Sequence, residues 1–439
     1  MYLAERGPAP ATPPAGTRQE RADRAAQPGR ALRAIPGTVL ALGTVSLITD
    51  ISSEMVTAVL PLYVVAGLGL SPLGFGLLDG VYNGVSGLVR LFGGHIADRG
   101  RRHKTVATIG YGLSALCKPL LLLAHTLPLI GAVLAVDRTG KGIRTAPRDA
   151  LISLAAPPEI RGRAFGVHRA MDTGGALLGP LAAFLVLGAA ADGYDAVFTV
   201  SFCVAVLGVL ALLLFVPGGR PQVERGGSDA PLVTVRSAVA LLRRPDLRRL
   251  TVCATLLGLT TVSDAFVYLL LQHRLGIAER WFPLLPLGTA AGFLLLALPL
   301  GALADRVGRR RVFLGGHVAL LAAYGLLLAP FHADGLAFIV LALHGTFYAA
   351  TDGVLPAAAA GAIPDDLRAS GLALIGSGQA LARFCCSLAV GAAWTVIGDR
   401  ATLAVAAGGL VLSAGWAAYA LRGQGRGREG LPDAGQEAR

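Results

Sequence analysis

Residues 94–104 read GHIADRGRRHK, and residues 301–311 read GALADRVGRRR. The two stretches share a Gly-x-x-x-Asp-Arg pattern, in which Asp98 corresponds to Asp305 at an offset of 207 residues. A second pair of segments repeats at the same offset. Its matching residues are Pro157 with Pro364 and Arg161 with Arg368. One offset shared by separate segments indicates that the chain consists of two homologous halves.

The composition indicates what each half contains. Of the 439 residues, 54% are hydrophobic and 15% are charged, and the mean hydropathy is +0.62. Soluble domains carry about 25% charged residues. Apolar blocks such as 109–136, 198–216 and 282–304 approach or exceed the roughly 20 residues that a membrane-spanning helix needs. Because the sequence lacks the period-two alternation of a membrane β-barrel, we predict an all-α integral membrane protein.

We predict twelve transmembrane helices, arranged as two pseudo-symmetric six-helix bundles around a central cavity. The expected starts are at about residues 38, 73, 104, 128, 164, 196, 249, 281, 312, 335, 369 and 401. The predicted domains are a disordered cytoplasmic tail (1–36), an N-terminal bundle (37–217), a cytoplasmic linker (218–248), a C-terminal bundle (249–422) and a second cytoplasmic tail (423–439).

The net charge of +12 follows the predicted topology. Basic residues cluster in the N-terminal tail, after the second and eighth spans and in the linker, whereas the opposite turns hold only Arg274, Arg280 and Arg400. This asymmetry places both termini in the cytoplasm and the protein in the cell membrane. No basic groove with interleaved aromatic residues is present, so the lipid bilayer is the expected partner and nucleic acid is not.

A charged stripe marks the predicted fourth span, where residues 136–152 read VDRTGKGIRTAPRDALI. At about 100° per residue, its six charges fall within an arc of roughly 140°. They are Asp137, Arg138, Lys141, Arg144, Arg148 and Asp149. A charge that faces lipid at mid-helix costs ~2.5–3.5 kcal/mol on insertion scales. The stretch is therefore predicted to be helical, with the stripe facing the central cavity.

Other spans carry ionisable residues in the same way, mostly in the first half. The candidate residues for proton coupling and the cavity are Asp50, Glu54, Asp79, Arg90, Arg138, Lys141, Arg144, Arg148, Asp149, Arg169, Asp172, Asp264 and Asp352. Any single pair can equally be a static clamp between helices. A functional role is favoured for the whole set, because apolar replacement of buried ion pairs is often neutral or stabilising. We expect Asp50, Glu54 and Arg138 to couple protonation to movement, with Arg144, Arg148 and Arg90 as substrate contacts or inner-gate pairs.

Over about residues 37–422 the chain resembles the major facilitator superfamily, on the strength of the two loop signatures. Arg101 departs from the pattern, since the second copy has Gly308 at this place. The resemblance implies that these loops form a gate, in which Asp98 and Asp305 accept hydrogen bonds at a facing helix N-terminus. The implied gate residues are Gly94, Asp98, Arg99, Arg102, Gly301, Asp305, Arg306, Gly308 and Arg309.

Two further motifs extend the resemblance. In the fourth span Leu134, Arg138 and Gly142 fit the family spacing, although Lys141 and Arg144 make this region more basic than the pattern. In the fifth span the pattern typical of proton-driven exporters is matched at Gly166, Gly175, Gly179 and Pro180, with Ala183 and Phe184 in place of its final glycine pair. These residues imply close helix packing and a kink, and packing alone explains them equally well. The segments TDISSEM and GKGIRTAPRDALI resemble a bacterial branch of the superfamily, and this resemblance does not predict a substrate.

The resulting prediction is a secondary active transporter that works by alternating access, with proton-coupled efflux of a drug-like or amphipathic small molecule. The alternatives are transport of an anionic metabolite, which the basic stripe favours, and an intramembrane enzyme that acts on a lipid phosphate. The enzyme is disfavoured because the sequence lacks Gly-x-Ser-x-Gly and His-Glu-x-x-His, and Gly140-Lys141 lacks the rest of a phosphate loop. We expect no cofactor, no metal site and a monomer whose partners are its substrate and protons.

Overall fold

The computed structural model describes residues 35–100, 103–157, 160–190, 193–217, 243, 245–330, 335–352 and 368–420. Within these ranges the chain is helical and contains no strand. The predicted tails and most of the predicted linker lie outside the described residues. The all-α membrane fold expected from the composition is therefore confirmed for the described part of the chain.

The helices of the first half are α1 Gly37–Leu62, α2 Pro72–Gly100, α3 His103–Leu123, α4 Leu127–Ala155, α5 Arg161–Ala189 and α6 Gly193–Phe215. Those of the second half are α7 Pro245–Thr260, α8 Asp264–Leu275, α9 Leu285–Val307, α10 Arg309–Leu328, α11 Leu336–Thr351, α12 Arg368–Ile397 and α13 Asp399–Ala420. A π-helical turn, Tyr63–Gly67, prolongs α1, and a 3-10 helix, Glu279–Leu284, leads into α9.

Nine helical segments in the described residues are long and apolar enough to cross a membrane. One of them, Leu247–Leu275, joins α7 and α8 across a short break, and another, Glu279–Val307, joins the 3-10 helix to α9. The polar helices α2 and α4 and the shorter α11 fall outside this set. With these three included, the structure is consistent with the twelve predicted spans.

The helix starts follow the repeat that the sequence shows. Arg161 opens α5 and Arg368 opens α12 at the offset of 207 residues. The other pairs of corresponding spans start within two residues of that offset when the eighth span is counted from Glu279, where the 3-10 helix that leads into α9 begins. The largest departure from the predicted starts is at α7, which begins at Pro245 and so inside the predicted linker 218–248. Proline suits the first turn of a helix because the amide hydrogen that it lacks has no partner there.

Helix packing repeats between the halves as well. In the first half α1 packs against α5 and α6, α2 against α4, and α3 against α4 and α6. In the second half α7 packs against α12 and α13, α9 against α11, and α10 against α11 and α13, which is the same pattern. Across the halves α2 packs along α12, and α5 contacts the 3-10 helix and α9. The structure is therefore two equivalent bundles joined along two seams.

Glycines bring the two halves into backbone contact at the end of the bundle where α2 begins. A Cβ on Gly76 would meet the carbonyl oxygen of Ser387, and a Cβ on Gly391 would meet the carbonyl oxygen of Pro72. The amide of Leu73 donates a hydrogen bond to the hydroxyl of Thr395 over 3.1 Å. At the second seam, the rings of Phe184 and Trp281 stack with centroids 5.1 Å apart, and Tyr194 donates a hydrogen bond to Glu279 over 3.1 Å. This end of the bundle is closed.

Glycines also bring α1 and α5 into close backbone contact within the first half. A Cβ on Gly175 would meet the carbonyl oxygen of Leu47 and the Cβ of Asp50, and a Cβ on Gly179 would meet the Cβ of Glu54. Pro180 is buried within α5, whereas a Cβ on Gly166 would meet nothing within 4 Å. Close approach of backbones at small residues stabilises helix pairs in membranes. Of the predicted packing motif, Gly175 and Gly179 hold α5 against the acidic face of α1.

We expect Gly175→Ala to destabilise the protein and the adjacent Gly174→Ala to leave its stability unchanged or slightly raised. The added methyl group at position 175 meets backbone that cannot move aside, and overpacking typically costs about 1–3 kcal/mol. At position 174 the nearest atom, Cδ1 of Leu47, lies 3.9 Å from the new Cβ, and alanine favours the helix by about 1 kcal/mol. Thermal unfolding of the purified variants in detergent measures both. Equal midpoints for the two variants would contradict the close α1–α5 contact.

Candidate functional site

The charged stripe lies on one continuous helix, because α4 spans the whole of residues 136–152. The side chains of Arg138 and Arg144 are almost fully buried, at 5% and 3% exposure, and that of Arg148 is 13% exposed. Lys141 and Asp149 are more open, at 36% and 44%. The stripe therefore faces protein, and each of its charges contacts an oppositely charged side chain of the same half.

The first group of contacts ties α4 to α3 and α2. The carboxylate of Asp137 accepts hydrogen bonds from Lys118 of α3 over 2.7 Å and from Arg138 over 2.5 Å. The guanidinium of Arg138 also lies over the ring of Tyr82 in α2, 4.1 Å from its centroid. A cation over an aromatic face is attracted by the ring quadrupole. Arg138 is therefore held by Asp137 and Tyr82.

The second group joins α4 to the acidic face of α1. Asp50 lies 3.5 Å from Arg144 and 3.9 Å from Lys141, and Glu54 lies 3.8 Å from Lys141. Arg144 is backed by the ring of Tyr111, whose centroid lies 4.4 Å away. Of the three residues expected to couple protonation, the structure places Asp50 and Glu54 beside Lys141 and Arg144, one to two helical turns beyond Arg138.

The third group brings in α5. Asp172 lies 3.5 Å from Arg148 and 3.6 Å from Arg169, whose own side chain is 80% exposed. Arg148 also contacts Asp149 at 3.1 Å and donates a hydrogen bond to Ser46 of α1 over 3.2 Å. Asp172 of α5 and Asp50 of α1 also interact electrostatically with each other. Arg144 and Arg148 thus draw carboxylates from two different helices to the same face of α4.

A cavity of about 210 Å³ lies between the halves. Its ionisable lining consists of Glu54 and Asp79 from the first half and Asp264 and Arg383 from the second. Its aromatic lining is Tyr82, Tyr268, Phe282 and Tyr348. The cavity therefore combines carboxylates with aromatic rings, and the basic stripe of α4 does not line it.

Asp79 connects the two halves within this cavity. Its carboxylate accepts hydrogen bonds from Ser387 of α12 over 2.5 Å and from Asn83 over 3.3 Å. Sequence reasoning placed Asp79 in the site but missed Ser387, Tyr82 and Tyr268. A single serine or tyrosine in an apolar helix carries no pattern that distinguishes it from a core residue, so no signal in the sequence identified them.

The second half contributes a network around Asp264 at the start of α8. Tyr348 donates a hydrogen bond to Asp264, and Nε2 of His344 lies 3.6 Å from the same carboxylate. The guanidinium of Arg383 interacts electrostatically with Asp79, Asp264 and Asp352. The sequence-predicted residues Asp79, Asp264 and Asp352 are thus brought around one arginine.

The gate loops are described only in part. At the turn between α9 and α10, Gly308 adopts a φ of 98°, which favours glycine, and Asp305 lies 3.6 Å from Arg309. A Cβ on Gly301 would meet nothing within 4 Å, and Arg306 is exposed. Arg102 lies outside the described residues. The structure describes only the helical backbone at Arg90, Gly94, Asp98 and Arg99, so any pairing between the two loops lies outside the described part of the chain.

No group of three or more His, Cys, Asp or Glu side chains in the described ranges is arranged to hold a metal ion. The five cysteines are free thiols, and Cys117, Cys253 and Cys386 are buried. The polar groups that the described residues present to the cavity are carboxylates, hydroxyls, the Asn83 amide and the Arg383 guanidinium.

We expect Asp137→Asn to destabilise the fold, because it leaves Lys118 and Arg138 buried with no counter-charge. Removing one partner of a buried ion pair typically costs about 3–5 kcal/mol. Adding Lys118→Met to Asp137→Asn removes one of the two cations and should restore much of the stability. The readout is the thermal midpoint and the monodisperse yield in detergent, with the exposed Asp195→Asn as the matched control. Wild-type stability of Asp137→Asn would show that this cluster does not hold the helices together.

Comparison with known proteins agrees with this architecture. A family model described as the Major Facilitator Superfamily matches residues 42–294 and 265–437. The chain is 29% identical over 376 residues to an uncharacterised MFS-type transporter of Methanocaldococcus jannaschii. The aligned region covers 83% of this chain and 90% of that protein.

Two solved structures show the same fold at low sequence identity. The nucleoside transporter NupG superposes with a TM-score of 0.75 at 13% identity, and the match covers 88% of this chain and 99% of that one. A bacterial homologue of the human lysosomal transporter Spinster superposes with a TM-score of 0.70 at 16% identity, over 87% and 96% of the two chains. The match to the family model covers most of the sequence, and the chain belongs to the Major Facilitator Superfamily as a multi-pass membrane transporter rather than an enzyme.

Proposed function

We propose that the protein exports a drug-like or amphipathic small molecule across the cell membrane in exchange for protons, as a monomer with both termini in the cytoplasm. The observation that carries this proposal is the meeting of three helices at Asp50. Its carboxyl group on α1 contacts Arg144 and Lys141 of α4 and adjoins Asp172 of α5. A proton bound here weakens the pairing of α1 with α4 inside the first bundle and so changes how that bundle fits against the second.

The charges around Asp50 are balanced when all are ionised. The cations are Lys141, Arg144, Arg148 and Arg169, and the anions are Asp50, Glu54, Asp149 and Asp172. Protonation of one carboxylate leaves the cluster with a net positive charge and weakens the hold of α1 on α4. Two unit charges 4 Å apart attract by on the order of 4 kcal/mol at an effective dielectric constant of 20. A bias of this size is sufficient to shift a two-state equilibrium by a large factor.

The movement takes place at the contacts between the two halves. Gly76 and Gly391 let α2 and α12 touch at the closed end, and Asp79 and Ser387 join the same helices deeper in the bundle. In the proposed topology this closed end faces away from the cytoplasm. Opening it requires only that glycine surfaces and a few hydrogen bonds part, which is compatible with the rocking of one bundle against the other.

The basic stripe gives less support to transport of an anionic metabolite than its charge suggests. Arg138, Arg144 and Arg148 each lie within 3.5 Å of a carboxylate of the same half. An anion would have to displace these partners, and the pairs are already in place. The exporter remains the better-supported proposal.

We expect Asp50→Asn to abolish the stimulation of transport by a pH gradient, because asparagine can neither gain nor lose the proton. Glu54→Gln should reduce the stimulation less, since its carboxylate contacts only Lys141 in the described ion pairs. A thermal-stabilisation screen with organic cations, anions and neutral compounds first identifies a ligand, and its flux in proteoliposomes is then measured with and without an imposed gradient.

Asp195→Asn is the control, since Asp195 lies exposed in the first turn of α6, away from the cluster. Gradient-dependent flux that persists in both Asp50→Asn and Glu54→Gln would refute proton coupling at these residues. Flux that depends on substrate but on no gradient in the wild type would refute proton coupling altogether.

A further inference from the structure

We propose that the cavity between the halves binds an organic cation, an amphipathic compound with a positive charge and an apolar or aromatic body. The inference rests on the proposed export function and names the class of substrate. It differs from the expectation that the sequence alone supports, in which the basic stripe faces the cavity and favours an anion.

The charge of the cavity wall is the first argument. Asp79 and Asp264 contribute carboxylates, and neither has a lysine or arginine within 4.0 Å among the ion pairs of the described residues. Among the described residues that line this cavity, Arg383 carries the one guanidinium, and it also interacts electrostatically with Asp352 of the adjoining cavity. Asp79 and Asp264 thus share one arginine, so this part of the wall carries excess negative charge when all groups are ionised.

Glu54 does not change this balance. Its carboxylate lines the cavity from α1, and its nearest cation, Lys141, lies 3.8 Å away on the side of α4. Glu54 and Lys141 therefore offset each other. Uncompensated charge away from bulk water is costly, and a bound cation would relieve that cost, whereas a bound anion would increase it.

The aromatic lining is the second argument. Tyr268, Phe282 and Tyr348 belong to the second half and line the same cavity as Asp264. Aromatic faces attract cations by about 0.5–2 kcal/mol each, and more strongly when water is excluded. The rings also present apolar surface to the body of an amphipathic ligand. An inorganic cation would use the carboxylates alone, and the rings therefore favour an organic one.

The protein already shows this recognition internally. The guanidinium of Arg138 lies 4.1 Å from the centroid of the Tyr82 ring, at the wall between the α4 cluster and the cavity. The α4 cations are occupied by carboxylates on their own side of that wall. Asp264 of the second half and Asp79 of the first half line the cavity with the hydroxyl partners Tyr348 and Ser387, respectively, and hydroxyl donors leave the negative charge in place.

Equilibrium binding to the purified full-length protein tests the proposal without any gradient. The probes are benzyltrimethylammonium chloride, benzyl alcohol, sodium benzenesulfonate and sodium chloride, compared at equal ionic strength by thermal stabilisation. We expect only benzyltrimethylammonium to raise the unfolding midpoint in a saturable manner. Stabilisation by benzenesulfonate that equals or exceeds it, or an equal effect of sodium chloride, would overturn the assignment.

Variants locate the site. Asp264→Asn keeps an acceptor for the hydroxyl of Tyr348 but removes the charge, and it should weaken binding of benzyltrimethylammonium about tenfold or more, which corresponds to about 1.4 kcal/mol. Asp79→Asn should act in the same direction, and Asp195→Asn should bind as the wild type does. Wild-type affinity in both Asp264→Asn and Asp79→Asn would refute the proposed site.

Should Asp264→Asn not fold, Asp79→Asn and the comparison of probes on the wild type still test whether binding requires the negative charge of the cavity. Cation binding combined with flux that ignores a pH gradient would refute proton coupling and leave this inference standing. Gradient-driven flux of a compound that is not a cation, with no binding of benzyltrimethylammonium, would refute this inference and leave proton coupling standing.

Discussion

The constraint on which this structure depends is that a charge within a membrane protein needs a partner. α4 carries six charges along one face, and lipid exposure of several of them would prevent insertion. The structure meets the constraint by surrounding the stripe with α1, α2, α3 and α5. Asp50 of α1 and Asp172 of α5 supply counter-charges, and Lys118 of α3 pairs with Asp137 of the stripe, so the pairing ties three neighbouring helices to α4.

Close backbone contact is the second determinant, and it works together with charge pairing. Asp172 precedes Gly175 by one turn of α5, and Gly175 lies against Asp50. The glycine seam thereby fixes the separation of the two carboxyl groups. A larger residue at this place would move Asp172 away from Asp50 and leave Arg148 to pair with Asp149 alone on its own helix. Helix packing and charge pairing at the α1–α5 contact therefore depend on the same residues.

The sequence predicts the backbone of this protein well and its side-chain partners poorly. Hydrophobic runs and the repeat offset locate the helix starts, because both depend on local composition. The stripe on α4 is likewise predictable from helical periodicity. The identity of each partner is not, since Asp50 could have met Arg138 or Arg144 equally well from sequence spacing, and only the tilt and rotation of α1 against α4 decide for Arg144. For the same reason the lining of the cavity by Ser387, Tyr82 and Tyr268, and the position of the basic stripe outside that lining, could not be derived in advance.

The repeat explains how one backbone carries two different kinds of chemistry. At the offset of 207 residues Arg138 corresponds to Gly345, and Asp137 corresponds to His344. In the first half this place holds a buried cation against Asp137 and Tyr82. In the second half a Cβ on Gly345 would meet the backbone of Thr289 and Phe293, so α9 and α11 touch directly. At this place the first bundle is therefore held by an ion pair, whereas the second is held by direct backbone contact. Under the proposed coupling, protonation would loosen the ion pairs of the first bundle while the second keeps its backbone contact, so that the two halves of one fold would respond differently to a proton.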